Sequence, residues 1–305
     1  MPHIIRVPQT PKKYLWTREV IAGLTDYYQL CADVGSDVAY LFGRRATAPY
    51  FPLYSNTAGA GWVYEGAAPD GIEYTNIPCA IVWGGTLLYF ADGGAIYRYN
   101  GGGSFTKEVD IGSGIFVQNG AFVFFTGSWA GNQGHRRNAD TTWTEGVFSA
   151  SVSGIRRGYP DPFDGECHSR ANRFTGAGNT LTVVAATGDV PPTAQARQMG
   201  VADGKLWAGH ATDPTLHYKA NAADDWSLLT TPVLPASWDA YHVHGADGKL
   251  CVEFFRSGDS QLWTWDGTVW ERELRLAGET FRNMISFSDR MYAITASAIY
   301  TRVFE

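Results

Sequence analysis

Short apolar runs broken by tight polar turns recur along the chain. Three copies are plain: Val201-Ala202-Asp203-Gly204-Lys205-Leu206-Trp207, Gly245-Ala246-Asp247-Gly248-Lys249-Leu250-Cys251 and Val82-Trp83-Gly84-Gly85-Thr86-Leu87-Leu88. Asp-Gly and Gly-Gly supply the positive φ of a two-residue hairpin turn, so each copy reads as a pair of antiparallel strands. Val117-Gln118-Asn119-Gly120-Ala121-Phe122 and Phe287-Ser288-Asp289-Arg290-Met291-Tyr292 follow the same plan. Looser versions lie at Val34-Gly35-Ser36-Asp37-Val38 and Phe163-Asp164-Gly165-Glu166-Cys167.

With Ser36, Gly85, Gly120, Gly165, Gly204, Gly248 and Arg290 as anchors, the separations are 49, 35, 45, 39, 44 and 42 residues. That period matches one blade of a β-propeller, about 40 to 45 residues. Downstream of most anchors comes a second hairpin signature, an apolar or aromatic pair, a polar turn, and a further aromatic. It reads Leu53-Tyr54 to Trp62, Ile96-Tyr97-Arg98-Tyr99-Asn100-Gly101 to Phe105, Leu216-His217-Tyr218 to Trp226, and Leu262-Trp263-Thr264-Trp265-Asp266-Gly267 to Trp270. The expected fold is therefore all-β, a propeller of about seven four-stranded blades, with six as the alternative count.

The last repeat, Ile299 to Glu305, stops where an outer strand should follow. The strand-like run His3-Ile4-Ile5-Arg6-Val7 is expected to supply it and close the ring, removing two free sheet edges. Residues 1–30 then form an N-terminal arm, and residues 31–305 the propeller. Within the arm, Trp16, Val20, Ile21, Leu24, Tyr27 and Tyr28 recur at helical spacing behind a cap at Thr17, which predicts a short helix, although Gly23 interrupts it. The stretch Pro160 to Asn172 reads as a long loop or a degenerate blade.

Composition agrees with this picture. The 35 glycines, 11 tryptophans and 16 tyrosines, with only 18% charged residues, suit many turns and half-buried pleated surfaces. A net charge of −6 and the absence of any Lys/Arg run longer than two give no footprint for nucleic acid. The apolar runs fall far short of the roughly 18 residues of a membrane span, and no signal peptide is legible at the start. Cys31, Cys79, Cys167 and Cys251 show no CxxC spacing and read as buried thiols.

Candidate chemistry is sparse. The sequence contains no nucleophile elbow, Walker loop or HExxH motif, and the Gly101-Gly102-Gly103-Ser104 run sits in a hairpin turn. His242 and His244 alternate on a strand and could share one metal ion, but no third ligand is visible. Asp161, Asp164 and Glu166 match no calcium loop. Trp62, Trp129, Trp143, Trp226, Trp265 and Trp270 lie in or near turns, where indole rings can stack on sugars, anchor a protein partner, or pack between blades. No cofactor is expected, and no enzymatic activity.

Lines such as Ala202-Asp203-Gly204-Lys205-Leu206 and Trp265-Asp266-Gly267-Thr268-Val269-Trp270 give the region from about residue 30 onward the style of the propellers of bacteriophage virion proteins, the tail, nozzle and adsorption components. This resemblance implies a structural virion subunit, made in the host cytoplasm, that docks on other virion subunits and is homo-oligomeric within the particle. The alternatives are a lectin-like propeller that binds a host-surface glycan or receptor, and a carbohydrate-active hydrolase or lyase. Against the lectin, the residues after Trp62, Phe105, Trp226 and Trp270 differ from repeat to repeat.

Overall fold

The structure is a computed structural model. It describes residues 15–33, 37–69, 80–91, 94–111, 114–119, 122–127, 134–147, 158–164, 166–169, 172–175, 181–185, 199–209, 214–229, 234 and 237–304. Twenty-eight strands are assigned among these residues, beginning with β1 (Thr17–Glu19). Sheet 1 comprises β2 (Leu24–Asp33), β3 (Val38–Arg45), β4 (Pro52–Thr57) and β5 (Val63–Ala67). Sheet 2 comprises β6 (Ala80–Trp83), β7 (Thr86–Phe90), β8 (Ala95–Gly101) and β9 (Ser104–Asp110). Sheet 3 comprises β10 (Gly114–Asn119), β11 (Phe122–Gly127), β12 (His135–Arg137) and β13 (Trp143–Glu145). Sheet 4 comprises β14 (Gly158–Phe163), β15 (Glu166–Ser169), β16 (Asn172–Thr175) and β17 (Thr182–Ala185). Sheet 5 comprises β18 (Met199–Ala202), β19 (Lys205–Gly209), β20 (Leu216–Lys219) and β21 (Ser227–Leu229). Sheet 6 comprises β22 (Asp239–Ala246), β23 (Lys249–Arg256), β24 (Asp259–Trp265) and β25 (Trp270–Leu276). Sheet 7 comprises β26 (Asn283–Phe287), β27 (Arg290–Ile294), β28 (Ile299–Val303) and, across the chain, β1.

Each sheet is an antiparallel meander, and of the described anchors Gly85, Gly204 and Gly248 fall at the turn between first and second strands while Arg290 opens the second strand β27. Asp203 and Gly204 (φ 50° and 64°) and Asp247 and Gly248 (53° and 66°) adopt two successive positive-φ conformations, the geometry for which Asp-Gly is selected. Ser36, Gly120 and Gly165 lie outside the described residues, yet the strands beside the last two pair directly, Asn119 with Phe122 and Phe163 with Glu166. The second signature marks the hairpin between third and fourth strands, as in β24–β25, where Trp265 stands opposite Trp270.

The first strand of each sheet lies against the first strands of its neighbours. β2 meets β6, and the contacts continue through β10, β14, β18, β22 and β26, which in turn meets β2. The apolar clusters sit between consecutive sheets: Phe42, Leu53, Tyr89, Ile96 and Phe116 join sheets 1 to 3, Met199 and Phe163 join 5 to 4, Val243, Phe254 and Trp207 join 6 to 5, and Tyr27, Tyr54, Phe287 and Tyr292 join 1 to 7. No sheet could bury these residues alone, so stacking is what makes the repeats stable.

The arm departs from expectation in two ways. Trp16 to Tyr28 is not a helix: Gly23, with φ +84°, separates β1 from β2. Two register shifts in the β2–β3 ladder, at Leu24/Asp26 and Tyr27/Gln29, break the strict alternation of β2. A bulged strand with apolar residues three and four apart imitates the helical period, which is why the pattern misleads. β2 also begins at Leu24, so the repeated part starts inside the expected arm of residues 1–30. The strand that flanks β28 is β1, with Thr17 opposite Thr301, Arg18 opposite Tyr300 and Glu19 opposite Ile299. The His3–Val7 run expected in that role lies outside the described residues. The stretch from Pro160 contributes the strands β14 to β16 of sheet 4, with an irregular register between Tyr159 and Phe163.

Candidate functional site

The tryptophans expected at turns occupy equivalent places. Trp62 and Trp226 immediately precede the fourth strands β5 and β21, and Trp143 and Trp270 open β13 and β25. All are half-buried and pack against the clusters between sheets, and Trp129 lies outside the described residues. Only Trp265 and Trp270 come together, with ring centroids 5.3 Å apart. Trp62 meets Tyr292 of sheet 7 edge to face, and Lys219 places its ammonium 5.3 Å from the Trp226 ring.

These rings belong to a recurring tie that sequence reading missed. Three residues after the aromatic comes a glutamate in Trp16-Thr17-Arg18-Glu19, Trp62-Val63-Tyr64-Glu65, Phe105-Thr106-Lys107-Glu108 and Trp270-Glu271-Arg272-Glu273. That spacing was the available signal. In the seam between sheets 2 and 3, the Glu108 carboxylate accepts from Arg137 Nε (2.8 Å), Arg137 Nη2 (2.6 Å) and Trp143 Nε1 (3.1 Å). Between sheets 6 and 7, Glu273 faces Arg302 Nε at 3.2 Å and accepts from Trp16 Nε1 at 3.2 Å. Glu65 accepts from the Tyr99 hydroxyl of sheet 2 and from Ser55. In these three cases a fourth-strand glutamate is capped by the third strand of the next sheet, whereas Glu19 of the remaining copy is exposed. Burial pushes the Glu273 carboxyl up while Arg302 pulls it back, and burial together with Glu65 pushes Tyr99 up to about 12.

His242 and His244 are both committed to protein partners. Buried His242 bonds through Nδ1 to Glu253, its cross-strand neighbour, and Glu253 also accepts from Ser260 Oγ and from the Phe281 N–H at 3.0 Å. His244 Nε2 lies 2.9 Å from Ser286 Oγ, whose proton goes to the Gly245 carbonyl at 3.1 Å. The serine oxygen therefore accepts from Nε2, which fixes the tautomer, and burial pushes the imidazole down to about 4. Among the described residues no group of three or more His, Cys, Asp or Glu side chains is placed to hold a metal ion. Asp164 accepts from the Ala222 N–H at 3.0 Å, a tie between sheets 4 and 5.

A different constellation faces outward on sheet 1. The Arg45 guanidinium lies 4.9 Å from the Tyr64 ring centroid and 5.8 Å from that of Tyr54, and Nη2 donates to the Tyr54 hydroxyl. The Arg45 N–H bonds the Tyr50 carbonyl at 2.8 Å, closing the β3–β4 connection beside it.

No family model and no curated protein sequence matches the chain. Solved structures do. YCF48 bound to D1 peptide aligns with a TM-score of 0.68 at 13% identity, over 98% of this chain and 97% of that one. A catalytically inactive virginiamycin B lyase from Staphylococcus aureus, solved with quinupristin, aligns at 0.70 and 12%, over 96% and 100%. The WD40 β-propeller domain of Doa1 aligns at 0.59 and 10%, over 94% and 95%. These likenesses, with the four-stranded antiparallel sheets, show an all-β fold of the β-propeller kind. They join peptide-bound and enzymatic proteins, so they speak for the fold alone.

Proposed function

We propose that the seven sheets are the blades of one closed propeller, completed by β1, and that the protein is a non-catalytic scaffold that docks other proteins. The observation that carries this reading is a division of labour. Buried polar and charged groups, Glu108 with Arg137, Glu273 with Arg302 and Glu253 with His242, are consumed in ties within or between sheets. Exposed large apolar residues lie on β5, β21 and β28 and in the connections beside strands, most of them in or next to sheets 7 and 1. Apolar surface of this kind is what a protein interface uses. The similarity to a propeller solved with a peptide supports it.

Binding of the purified chain to an unbiased array of 15-residue peptides tests the docking reading, and uniformly blank spots would refute it. The finer reading, a phage tail or tail-associated subunit docked on other virion subunits, rests on the Gly- and Trp-rich style of the repeats, and the neighbours named above carry no phage link. Mass spectrometry of purified particles decides it. The glycan-binding alternative is the weaker one, because the described tryptophans sit half-buried in seams instead of forming an array of open rings.

A further inference from the structure

Among the described residues, six of the eight exposed large hydrophobic ones lie in or beside the strands of sheets 7 and 1: Leu15, Val20, Val303, Tyr50, Val63 and Tyr64. Of the last three, Tyr64 carries the Arg45 guanidinium on its ring, the Tyr50 carbonyl accepts from the Arg45 N–H, and Val63 is the neighbour of Tyr64 on β5. Tyr50 is 53% exposed, Val63 61% and Tyr64 45%, and Val63 and Tyr64 are consecutive on β5, the terminal strand of its sheet. Outer strands β9 and β25 carry charge on their exposed positions, Lys107 and Asp110 on the one and Arg272 and Arg275 on the other, whereas β21, like β5, exposes none. Such charges blunt an edge against strand addition. The exposed positions of β5 are Val63, Tyr64 and Ala67, which are uncharged.

Arg45 adds the missing chemistry. Its guanidinium rests on tyrosine faces, its Nε is buried without a hydrogen-bond partner, and among the described residues no carboxylate pairs with it. Most other described arginines at a seam do have carboxylates, as Arg137, Arg282 and Arg302 show. A cation held in place by stacking, without a counter-charge among the described residues, is a prepared half of an ion pair.

We propose that the edge of β5, with Arg45, Tyr50 and Tyr64, docks an extended peptide segment of a partner protein that alternates apolar and acidic side chains. The peptide backbone pairs with the exposed edge of β5, an acidic side chain meets the Arg45 guanidinium on the Tyr64 face, and apolar side chains cover Val63 on the opposite face. This proposal rests on the docking reading above and names the partner's chemistry.

The test uses the full chain and a fluorescein-labelled decapeptide of repeating Val-Glu, with a Val-Lys counterpart. The Val-Glu peptide is expected to bind at least tenfold more tightly than Val-Lys, and Arg45→Gln to remove that preference. Val63→Lys, an exposed change that leaves the melting curve intact, is expected to weaken binding at least fivefold, and this variant keeps the proposal falsifiable should Arg45→Gln unfold sheet 1. Equal binding of the two peptides, or binding indifferent to Val63→Lys, overturns it. So does concentration-dependent dimerisation abolished by Val63→Lys, or sedimentation with phosphatidylserine vesicles abolished by the same change. If array peptides cross-link to another sheet, the docking reading stands and the β5 site falls; a blank array sinks both.

Discussion

The inner seam between sheets 5 and 6 and the outer seam between sheets 2 and 3 solve the same packing problem by opposite means. At the inner seam, side chains are removed: a Cβ added to Gly245 would lie 1.9 Å from the Val201 carbonyl oxygen, one on Gly200 2.6 Å from that of Val243, and one on Gly209 2.2 Å from that of Ala240. Backbone meets backbone there, and the first strands converge. At the outer seam, where sheets splay, the gap is filled by the long side chains of Glu108, Arg137 and Trp143, which must bring their own charge balance. One junction is thus made by glycine and the other by a buried ion pair.

That contrast can be broken from either side. The largest effect is expected from Glu108→Ala, which leaves the buried Arg137 guanidinium uncompensated and should cost about 3 to 5 kcal/mol, read by urea denaturation. Next comes acid. His244, neutral in the fold with its pKa pushed down to about 4, contributes stability present above its ordinary 6.5 that is lost as pH falls toward 4. The loss is at most about 3 kcal/mol. The raised Glu273 carboxyl acts in the opposite sense, so comparing melts of the parent and His244→Gln isolates the imidazole: the variant should show the flatter curve. Gly245→Ala forces the inner strands apart and should cost about 1 to 3 kcal/mol, whereas the same change at Gly248, where a Cβ meets nothing, should show only the strain of its positive φ. Smallest is Lys107→Ala, which removes an exposed ion pair with Asp110 and should stay within about 0.5 kcal/mol.

The repeat was legible because a positive-φ hairpin turn narrows the choice of residue so far that Asp-Gly and Gly-Gly stand out. The Trp16 to Tyr28 segment was misread because bulges in β2 copy the helical period, and Gly23, where the chain breaks between β1 and β2, was the local signal against a helix. The Trp-x-x-Glu spacing stood in the sequence, but its meaning depends on an arginine or tyrosine donated by the next sheet, and on β1 crossing to β28 from the far end of the chain. The Arg45 site was hidden for a related reason: Arg45 on β3 meets Tyr64 on β5 across β4, a contact between residues far apart in sequence. His242 and His244 do alternate on one strand as expected, yet Glu253 and Ser286 claim them from different elements.

Closure by β1 is the point on which the ring depends, and a disulfide measures it. Thr17→Cys and Thr301→Cys place two thiols at directly opposed positions of β1 and β28. Mild oxidation of the folded double variant, followed by peptide mass spectrometry, should give the 17–301 linkage and should fail to give it in urea. Absence of that linkage in the folded protein, with amides 16–19 exchanging at free-peptide rates, would contradict a ring closed by its own N-terminal strand.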